Sequence, residues 1–335
     1  MKPLQVPFQT ADKTALDRSR WHKPLVSIVV THHNYSHHVC DALLSVLDQT
    51  YDNWECVVVD DASTEDHGDA VERIVETIGS PRIRLLKLAQ NVGQMRCAFA
   101  GLDDTSGEFV CVLDPDDRYA PTFLEEAVAG HLNDTVYCPV LSTDQYFMAN
   151  GSVIAGTFTH QRLHFVDNER GISVIPDQPK ARLLYYSSGW GGWHWGSTSS
   201  LMFRRGALEL MRPPASKTRN EAWAGGPGYP AVDSYLAQGA HRMGGTLFLT
   251  RSLVYRAVHP DNAYLINRVI SLSHQESKYD GPENSRRCLE LALAAIKANG
   301  GEALLHQAKA QRRRRGLFAR LGRSFAKRWR RWTAR

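Results

Sequence analysis

Polar side chains collect at four places in this sequence, each directly after a short apolar run. The four places are 31–35, Asp60-Asp61, 91–93 and 114–117. Carboxylates at short range repel one another unless a cation lies between them, and hard divalent ions prefer oxygen ligands. If the four places meet in the fold, they predict a site for Mg²⁺ or Mn²⁺. At any one place alone, the alternative is an Asp that caps a helix or closes a turn.

The segments around these places alternate between two periodicities. Four runs rich in β-branched residues predict buried strands, namely Leu25 to Val30, Trp54 to Val59, Ile83 to Leu88 and Phe109 to Leu113. Apolar residues at helical spacing follow three of the runs, and Ser36 is the expected N-cap of the first helix. This alternation is typical of an α/β fold with a mostly parallel sheet flanked by helices. Ligands bind beyond the carboxyl ends of such strands, where all four polar places would lie.

Four stretches that contain these motifs resemble the inverting family 2 glycosyltransferases, which have the GT-A fold. They are Val-Ser-Ile-Val-Val-Thr-His-His-Asn-Tyr at 26–35, residues 45–64 ending in Asp-Asp-Ala-Ser-Thr, Asn-Val-Gly at 91–93 and Leu-Asp-Pro-Asp-Asp at 113–117. Order and spacing match over about residues 24–130, and weaker matches continue to about residue 265. The resemblance implies a GT-A type, Rossmann-like sheet that binds a nucleotide sugar.

The resemblance assigns the N-terminal half to a nucleotide-diphosphate sugar donor. The donor contacts that it implies are Thr31, Asn34, Tyr35, Asp61, Asn91, Gly93 and Asp114. The first three of these would line the nucleoside pocket, and Asp61 would contact the base or the ribose. Relatives commonly carry an Arg between an Ala and an Asn shortly after the Asn-x-Gly, where this chain has Cys97, Ala98 and Phe99. Arg96 lies two positions early, about 200° around the helix, and is expected to face solvent.

The same resemblance implies a metal ion, Mn²⁺ or Mg²⁺, at the carboxylates. Asp114 and Asp116 match the DxD motif, with Asp114 nearer the ribose and Asp116 on the metal. His259 lies in Tyr-Arg-Ala-Val-His-Pro-Asp-Asn at 255–262, which is similar to the stretch that closes the catalytic domain in many relatives. By that similarity His259 completes the metal or diphosphate site. A divalent cation there would stabilise the charge that grows on a diphosphate leaving group.

Displacement with inversion also needs a base within hydrogen-bond reach of the acceptor hydroxyl. In the family this base is usually the Asp of a Glu-Asp pair at a helix start, and Asp233 is the best match here. Val232 replaces the usual Glu, and Glu221 is the reserve candidate. The structural alternative is that Asp233 only stabilises a helix N-terminus through the helix dipole.

A glycine-rich stretch at 187–196 contains Trp190, Trp193 and Trp195. Flat indole faces suit the C–H groups of sugar rings, and glycines allow the backbone to approach a ligand closely. We therefore expect these three residues to bind the acceptor, with buried core tryptophans as the alternative.

The histidines at 32, 33, 37 and 38 could also hold a metal, but they lie in and just after a loop assigned to the nucleotide. The six cysteines contain no CxxC and no short spacing that would suit zinc, so they are expected to be buried, reduced thiols of a cytosolic protein. The N-terminus has no apolar segment of a secretion signal, and no run of 18 apolar residues predicts a membrane span.

The net charge of +5 divides unevenly along the chain. Residues 312–335 hold eleven Lys and Arg and no acid, which leaves 29 bases and 35 acids in the first 311 residues. In this tail the aromatic and leucine side chains recur at helical spacing, namely Phe318, Leu321, Phe325, Trp329 and Trp332. A basic helix with an apolar stripe is typical of binding to an anionic membrane surface. Nucleic acid is the rival partner, but phosphate contacts need no apolar stripe.

These observations divide the chain into an N-terminal extension at 1–23, a GT-A catalytic domain at 24–265, a helical extension at 266–311 and the membrane-surface helix at 312–335. Within the catalytic domain, residues 24–130 form the nucleotide-sugar half and 131–265 the acceptor half. The expected protein is an inverting, metal-assisted hexosyltransferase on the cytoplasmic face of the cell membrane, acting on a glycan or lipid-linked acceptor and not on nucleic acid. The alternatives are a sugar-nucleotide nucleotidyltransferase and a non-catalytic, membrane-docked binding protein.

Overall fold

The first half of the chain alternates strands with helices, as its sequence predicts. The computed structural model describes residues 23–133, 136–158, 162–167, 172–173, 184–187, 195–214, 231–259 and 282–311. The first elements are β1 (Val26–His32), α1 (Ser36–Leu47), β2 (Trp54–Asp60), α2 (Glu65–Ile78), β3 (Ile83–Lys87), α3 (Gln94–Asp103) and β4 (Phe109–Leu113). The four predicted strands and the three helices between them are confirmed.

These four strands are parallel and stand in the order β3-β2-β1-β4. Their register aligns His32 with Asp60 and Asp60 with Lys87, and it aligns Val30 with Leu113. The carboxyl ends of the strands therefore lie at nearly the same level of one sheet edge. The polar segments that follow β1, β2, β3 and β4 all leave the sheet at this edge.

The second half extends the sheet with mixed pairing. Its elements are β5 (Arg118–Tyr119), α4 (Phe123–His131), β6 (Val140–Ala149), β7 (Ser152–Phe158), β8 (Arg162–Asp167), β9 (Ile172–Ser173), β10 (Leu184–Ser187), β11 (Leu201–Arg204), α5 (Arg205–Leu210), α6 (Val232–Gly244), β12 (Thr246–Ala257), α7 (Pro282–Ala298) and α8 (302–311). β11 is antiparallel to both β4 and β6 and so joins the two halves. β12 is parallel to β6 and antiparallel to the short strand β5.

Each face of the sheet buries its own apolar cluster. Alternate residues of β1 point to opposite faces, so Ile28 packs with α1 and α4, whereas Val29 packs with α3. Because β1 is buried on both faces, its central residues Ile28, Val29 and Val30 are apolar in succession rather than in alternation.

The helical extension contributes to the second of these clusters. Cys288, Ala292 and Ile296 of α7 are buried in the same cluster as Tyr235 and Leu236 of α6. The α7 segment therefore completes the core that supports α6. The domain boundaries at residues 265 and 311 stay predictions.

The cysteines agree with the sequence-based expectation of buried thiols. All six cysteines are free thiols, and every one except the partly exposed Cys40 is buried. In the described ranges, no helix combines the length and the apolar character that crossing a bilayer requires.

The contact between α3 and the sheet gives a stability prediction. A Cβ on Gly101 would overlap the side chain of Val29 and lie 3.0 Å from Val59 Cγ2. Gly101→Ala should therefore lower the free energy of unfolding by about 1–3 kcal/mol, measured by urea denaturation. Gly206→Ala on α5 is the control, because nothing lies within 4 Å of the added Cβ. Equal stability of the Gly101 variant and the wild type would contradict this packing.

Candidate functional site

A buried histidine–aspartate pair braces the ends of β1 and β2. His32 Nδ1 lies 2.9 Å from Asp60 Oδ1, and the Tyr35 N–H points at His32 Nε2 at 3.3 Å. Because Nε2 accepts from the backbone, Nδ1 carries the proton that is donated to Asp60. Ser63 Oγ also donates to Asp60 Oδ1, at 2.5 Å. Burial tends to raise the pKa of Asp60, but the hydrogen bonds from His32 and Ser63 outweigh it and lower the pKa.

Asn34 connects the two loops above this pair. Its φ of 59° lies in the left-handed region, which Asn tolerates better than most residues. Its N–H donates to Ser63 Oγ at 2.9 Å, and its Oδ1 accepts from the Thr64 N–H at 2.9 Å. The nucleoside contact predicted for Asn34 thus falls on a residue that holds the β1–α1 loop against the start of α2.

Asp61 holds the loop between β3 and α3. Its two carboxylate oxygens accept from the N–H groups of Val92, at 2.7 Å, and Gly93, at 2.8 Å. Gly93 has φ 85°, a conformation that favours glycine. Asp61 therefore fixes the Asn-Val-Gly loop at the same edge as Thr31 and Asp114.

His33 and Asn91 meet across the gap between the β1–α1 loop and the β3–α3 loop. Asn91 Nδ2 lies 3.1 Å from His33 Nε2. In the described part of the chain, His33 Nδ1 and Asn91 Oδ1 are buried and have no hydrogen-bond partner. Buried polar atoms without partners are rare in proteins, and a bound ligand is one way to satisfy them.

The Asp114 to Asp117 turn is held by residues from distant parts of the chain. Gln94 Nε2 donates to Asp114 Oδ1 at 2.7 Å. Ser199 Oγ accepts from the Asp114 N–H at 3.1 Å and donates to Asp117 Oδ2 at 2.6 Å. The Ala257 N–H donates to Asp117 Oδ1 at 3.1 Å.

Sequence reasoning missed the roles of Ser199 and Asp117. Asp117 could have been found by its position beside the DxD motif. Ser199 carries no such signal, because it lies in an ordinary Thr-Ser-Ser turn.

Several carboxylates in this turn repel one another. Burial raises the pKa of Asp114 well above its ordinary value, and the charges of Asp117, Asp116 and Asp233 raise it further. The nearby charge of Arg256 opposes the rise at Asp114, at Asp117 and at Asp233. The region therefore favours an added positive charge, which agrees with the chemistry of a cation site.

Asp116 and His259, two of the predicted metal ligands, contact each other at this site. His259 Nε2 lies 3.1 Å from Asp116 Oδ2, and the two side chains are 13% and 12% exposed. Asp114, the third predicted ligand, bonds instead to Gln94. Among the residues that the structure describes, no three His, Cys, Asp or Glu side chains are arranged to hold a metal as they stand. The donor set and its excess negative charge fit a divalent cation, and the ligand geometry would form on binding.

Asp233 lies in the first turn of α6, and its Oδ1 accepts from the Ser234 N–H at 2.6 Å. Burial raises the pKa of this carboxyl, and Arg256 opposes the rise. The charge of Asp233 contributes to the raised pKa of Asp114, so the candidate base lies near the DxD motif. The reserve candidate Glu221 lies outside the described residues.

Two arginines differ from the sequence expectation. The sequence pattern assigned no role to Arg256, although Arg256 lies three positions before His259. Arg96 was expected to face solvent, but its Nε and one terminal guanidinium nitrogen are buried. The expectation for Arg96 was wrong because helical spacing gives the direction of a side chain but not the depth of its surroundings.

The tryptophan prediction is corrected at one position. Trp195 is 1% exposed, lies in the core beside α6 and donates from Nε1 to Thr246 Oγ1 at 3.1 Å. A ring buried to this degree has no face open to a sugar, so Trp195 is not assigned to the acceptor site. Trp190 and Trp193 lie outside the described residues, as does the tail at 312–335.

The four histidines near the start of α1 do not converge. His32 bonds to Asp60 and His33 lies against Asn91, whereas His37 packs against His67 and His38 packs against His259. The structure thus gives the four rings separate neighbours, which does not favour a shared metal.

Comparison with known proteins relates this chain to a family. Residues 27–208, more than half of the chain, match the family described as Glycosyl transferase family 2. TuaG of Bacillus subtilis (strain 168), provisionally named a teichuronic acid biosynthesis glycosyltransferase, is 29% identical over 41% of this chain and 53% of its own length. WfgD of Escherichia coli, named UDP-Glc:alpha-D-GlcNAc-diphosphoundecaprenol beta-1,3-glucosyltransferase, is 31% identical over 40% of this chain and 50% of its own length. The chain thus spans about half the length of these relatives.

A solved structure shares the fold. S. aureus TarS in complex with UDP-GlcNAc superposes with a TM-score of 0.51 at 17% identity, covering 84% of this chain and 71% of that one. The predicted α/β class with GT-A architecture is confirmed.

The role of Ser199 can be tested by its removal. Ser199→Ala removes the hydrogen bonds to Asp117 Oδ2 and from the Asp114 N–H, so it should cost about 1–3 kcal/mol of unfolding free energy, the penalty for a buried polar group that loses its hydrogen bond. The neighbouring Ser200→Ala removes only a bond to the Ser197 carbonyl and should cost about 0.5–1.5 kcal/mol. Urea denaturation at neutral pH measures both, and equal losses would argue against the bridge.

Proposed function

The chain belongs to glycosyl transferase family 2, and on that premise we propose that it transfers a sugar, with inversion, from a nucleotide-diphosphate sugar to an acceptor hydroxyl. The observation that carries this proposal is that Asp233 and Arg256 lie near enough to the Asp114 to Asp117 turn for their charges to shift the pKa of Asp114. The names of the relatives support a place in the synthesis of a cell-surface polysaccharide or glycolipid.

The donor would lie along the carboxyl edge of β1 to β4. Thr31, the loop held by Asp61, and the unpartnered atoms of His33 and Asn91 line this edge. Because the loops are fixed by bonds from buried side chains, their polar groups would meet the nucleotide already oriented. Preorganised groups lose less freedom when the ligand binds.

Asp116 and His259, with Asp114 released from Gln94, would hold Mn²⁺ or Mg²⁺. A divalent cation at this position acts as a Lewis acid that stabilises negative charge on a diphosphate. The raised pKa of Asp114 agrees with this assignment, because burial and then the negative charge of the neighbouring aspartates raise it, and Arg256 only partly offsets the rise.

Asp233 would act as the base. Its carboxylate takes the proton of the acceptor hydroxyl while that oxygen forms a bond to the anomeric carbon. The bond from the anomeric carbon to the diphosphate breaks on the opposite face, and the diphosphate leaves with the electron pair. Burial raises the pKa of Asp233, which brings its basicity closer to working pH. Arg256 keeps the carboxyl from being protonated too readily.

The acceptor is proposed to be a glycan or a lipid-linked sugar. WfgD carries a diphosphoundecaprenol acceptor in its name, and the basic, aromatic tail at 312–335 would hold this chain on the inner face of a membrane. Trp190 and Trp193 remain our proposal for contacts to the acceptor sugar.

Asp233→Asn separates donor binding from transfer. We expect UDP or another nucleoside diphosphate, tested in a panel with GDP, CDP and ADP, to raise the melting temperature of the wild type more with Mn²⁺ than without it. The variant should keep this shift and lose transfer by about 10²- to 10⁴-fold. Asp103→Asn, at an exposed ion pair with Arg212, is the control and should keep both.

The outcomes of this experiment are distinct. If no nucleotide stabilises the wild type, the donor assignment is wrong and a non-catalytic role gains support. If the Asp233 variant transfers sugar at the wild-type rate, the base lies elsewhere.

Removing residues 312–335 tests the membrane proposal. The truncated chain should no longer sediment with vesicles that contain anionic lipid, while its melting temperature and nucleotide binding stay unchanged. A matched variant with Trp329→Ser and Trp332→Ser keeps every charge and should bind more weakly, because the apolar stripe is interrupted. Sedimentation of the truncated chain at the wild-type level would refute the anchor.

A further inference from the structure

Three aromatic rings from the two halves of the chain meet beside Asp116. The His38 and His259 rings are stacked, with centroids 4.5 Å apart and planes inclined by 23°. The Tyr35 ring lies 5.8 Å from each of them, tilted by 43° and 60°. Tyr35 and His38 come from the start of α1, whereas His259 follows β12.

His259 is oriented in an unusual way for a residue next to a carboxylate cluster. A histidine that serves a metal or phosphate site is normally held by a hydrogen bond from its second ring nitrogen. Nε2 of His259 faces Asp116, but Nδ1 is buried and has no hydrogen-bond partner in the described ranges. Among the described ring contacts of His259, the flat one is with His38, and this contact sets the plane of the ring.

His38 is itself well anchored. His38 lies in the first turn of α1, and its backbone N–H donates to the Tyr35 carbonyl at 3.0 Å. The N–H of Tyr35 in turn points at His32, which is locked to Asp60. The His38 ring therefore stands on the braced β1–α1 loop.

We propose that His38 is a positioning residue whose ring holds the imidazole of His259 against Asp116. The inference rests on the proposed function, in which Asp116 and His259 bind a divalent cation beside the donor diphosphate. It adds a residue from the nucleotide half that sets the geometry of a ligand from the acceptor half. The flat shape of the side chain is what matters for this role, so another planar ring should replace it.

The neighbouring residue His37 provides a matched control. Its ring packs edge-on against His67 of α2 at 5.5 Å and 79°. It shares the helix turn and the residue type of His38, but its ring packs against α2 rather than against His259.

The test compares His38→Ala, His38→Phe, His38→Leu and His37→Ala in the full chain. The readout is the Mn²⁺ concentration that gives half of the maximal thermal stabilisation at a saturating level of the nucleoside diphosphate that stabilises the wild type. His38→Ala and His38→Leu should raise this concentration by about tenfold or more, the usual effect of losing a group that orients a metal ligand. His38→Phe and His37→Ala should stay close to the wild type. Nucleotide binding without Mn²⁺ should not change in any variant.

Each outcome decides the proposal. A wild-type Mn²⁺ requirement in both His38→Ala and His38→Leu overturns it, and so does a loss in His38→Phe as large as that in His38→Ala. If His38→Ala does not fold, His38→Leu keeps the volume without the flat ring and carries the test. If the nucleotide stabilises the wild type and the His259→Ala variant, and Mn²⁺ has no effect on either, the metal assignment and this inference are both wrong. Absence of nucleotide binding by the wild type instead identifies a failure of the proposed function.

Discussion

The arrangement of this site depends on offsetting the repulsion among several buried aspartates. Burial raises the pKa of Asp114 and of Asp117, and the charges of neighbouring aspartates, among them Asp116, raise it further. Such an arrangement is unfavourable unless something offsets it. The fold supplies a hydroxyl from Ser199, a backbone N–H from Ala257, an amide from Gln94 and the positive charge of Arg256. These groups hold the carboxylates in place and leave them short of positive charge, which is the condition for binding a cation.

Hydrogen bonds to buried carboxylates also hold the loops at the carboxyl edge. His32 and Asp60 lock the end of β1 to the end of β2, and Asp61 takes two backbone hydrogen bonds from the loop before α3. Asn34 closes the remaining gap toward Thr64. Polar side chains that sequence comparison assigns to a ligand are thus also the supports of the site. Substituting them would disturb loop geometry as well as any ligand contact, so variants of Asp61 or Asn34 would report on both.

The two halves of the chain depend on each other at the site. β11 stands between β4 and β6, and the turn that precedes it delivers Ser199 to the DxD motif. β12 and the residues just after it place Arg256, Ala257 and His259 beside the same motif. The stacking of His259 on His38 adds a second contact with the first half. α7 lies behind α6 in the core and supports the helix that carries Asp233. Residues 24–130 alone would present Asp114, Asp116 and Asp117 without the hydrogen bonds of Ser199 and Ala257 and without the charge of Arg256.

Local sequence pattern was enough to predict the elements of the first half and the residues of the motifs. Strand and helix periodicity is a local property, so β1 to β4 and the helices between them could be predicted, and so could the edge where Asp61, Asn91 and Asp114 meet. How these residues are held, and which distant residues join them, depends on the packing of the whole chain. Ser199 and Ala257 are 85 and 140 positions from the aspartates that they contact. Local pattern carries no information about such pairs. Burial depth is likewise a property of the packed chain, which is why Trp195 belongs to the core and the guanidinium of Arg96 is partly buried. The same reason applies to His38, whose role depends on a ring 221 positions away.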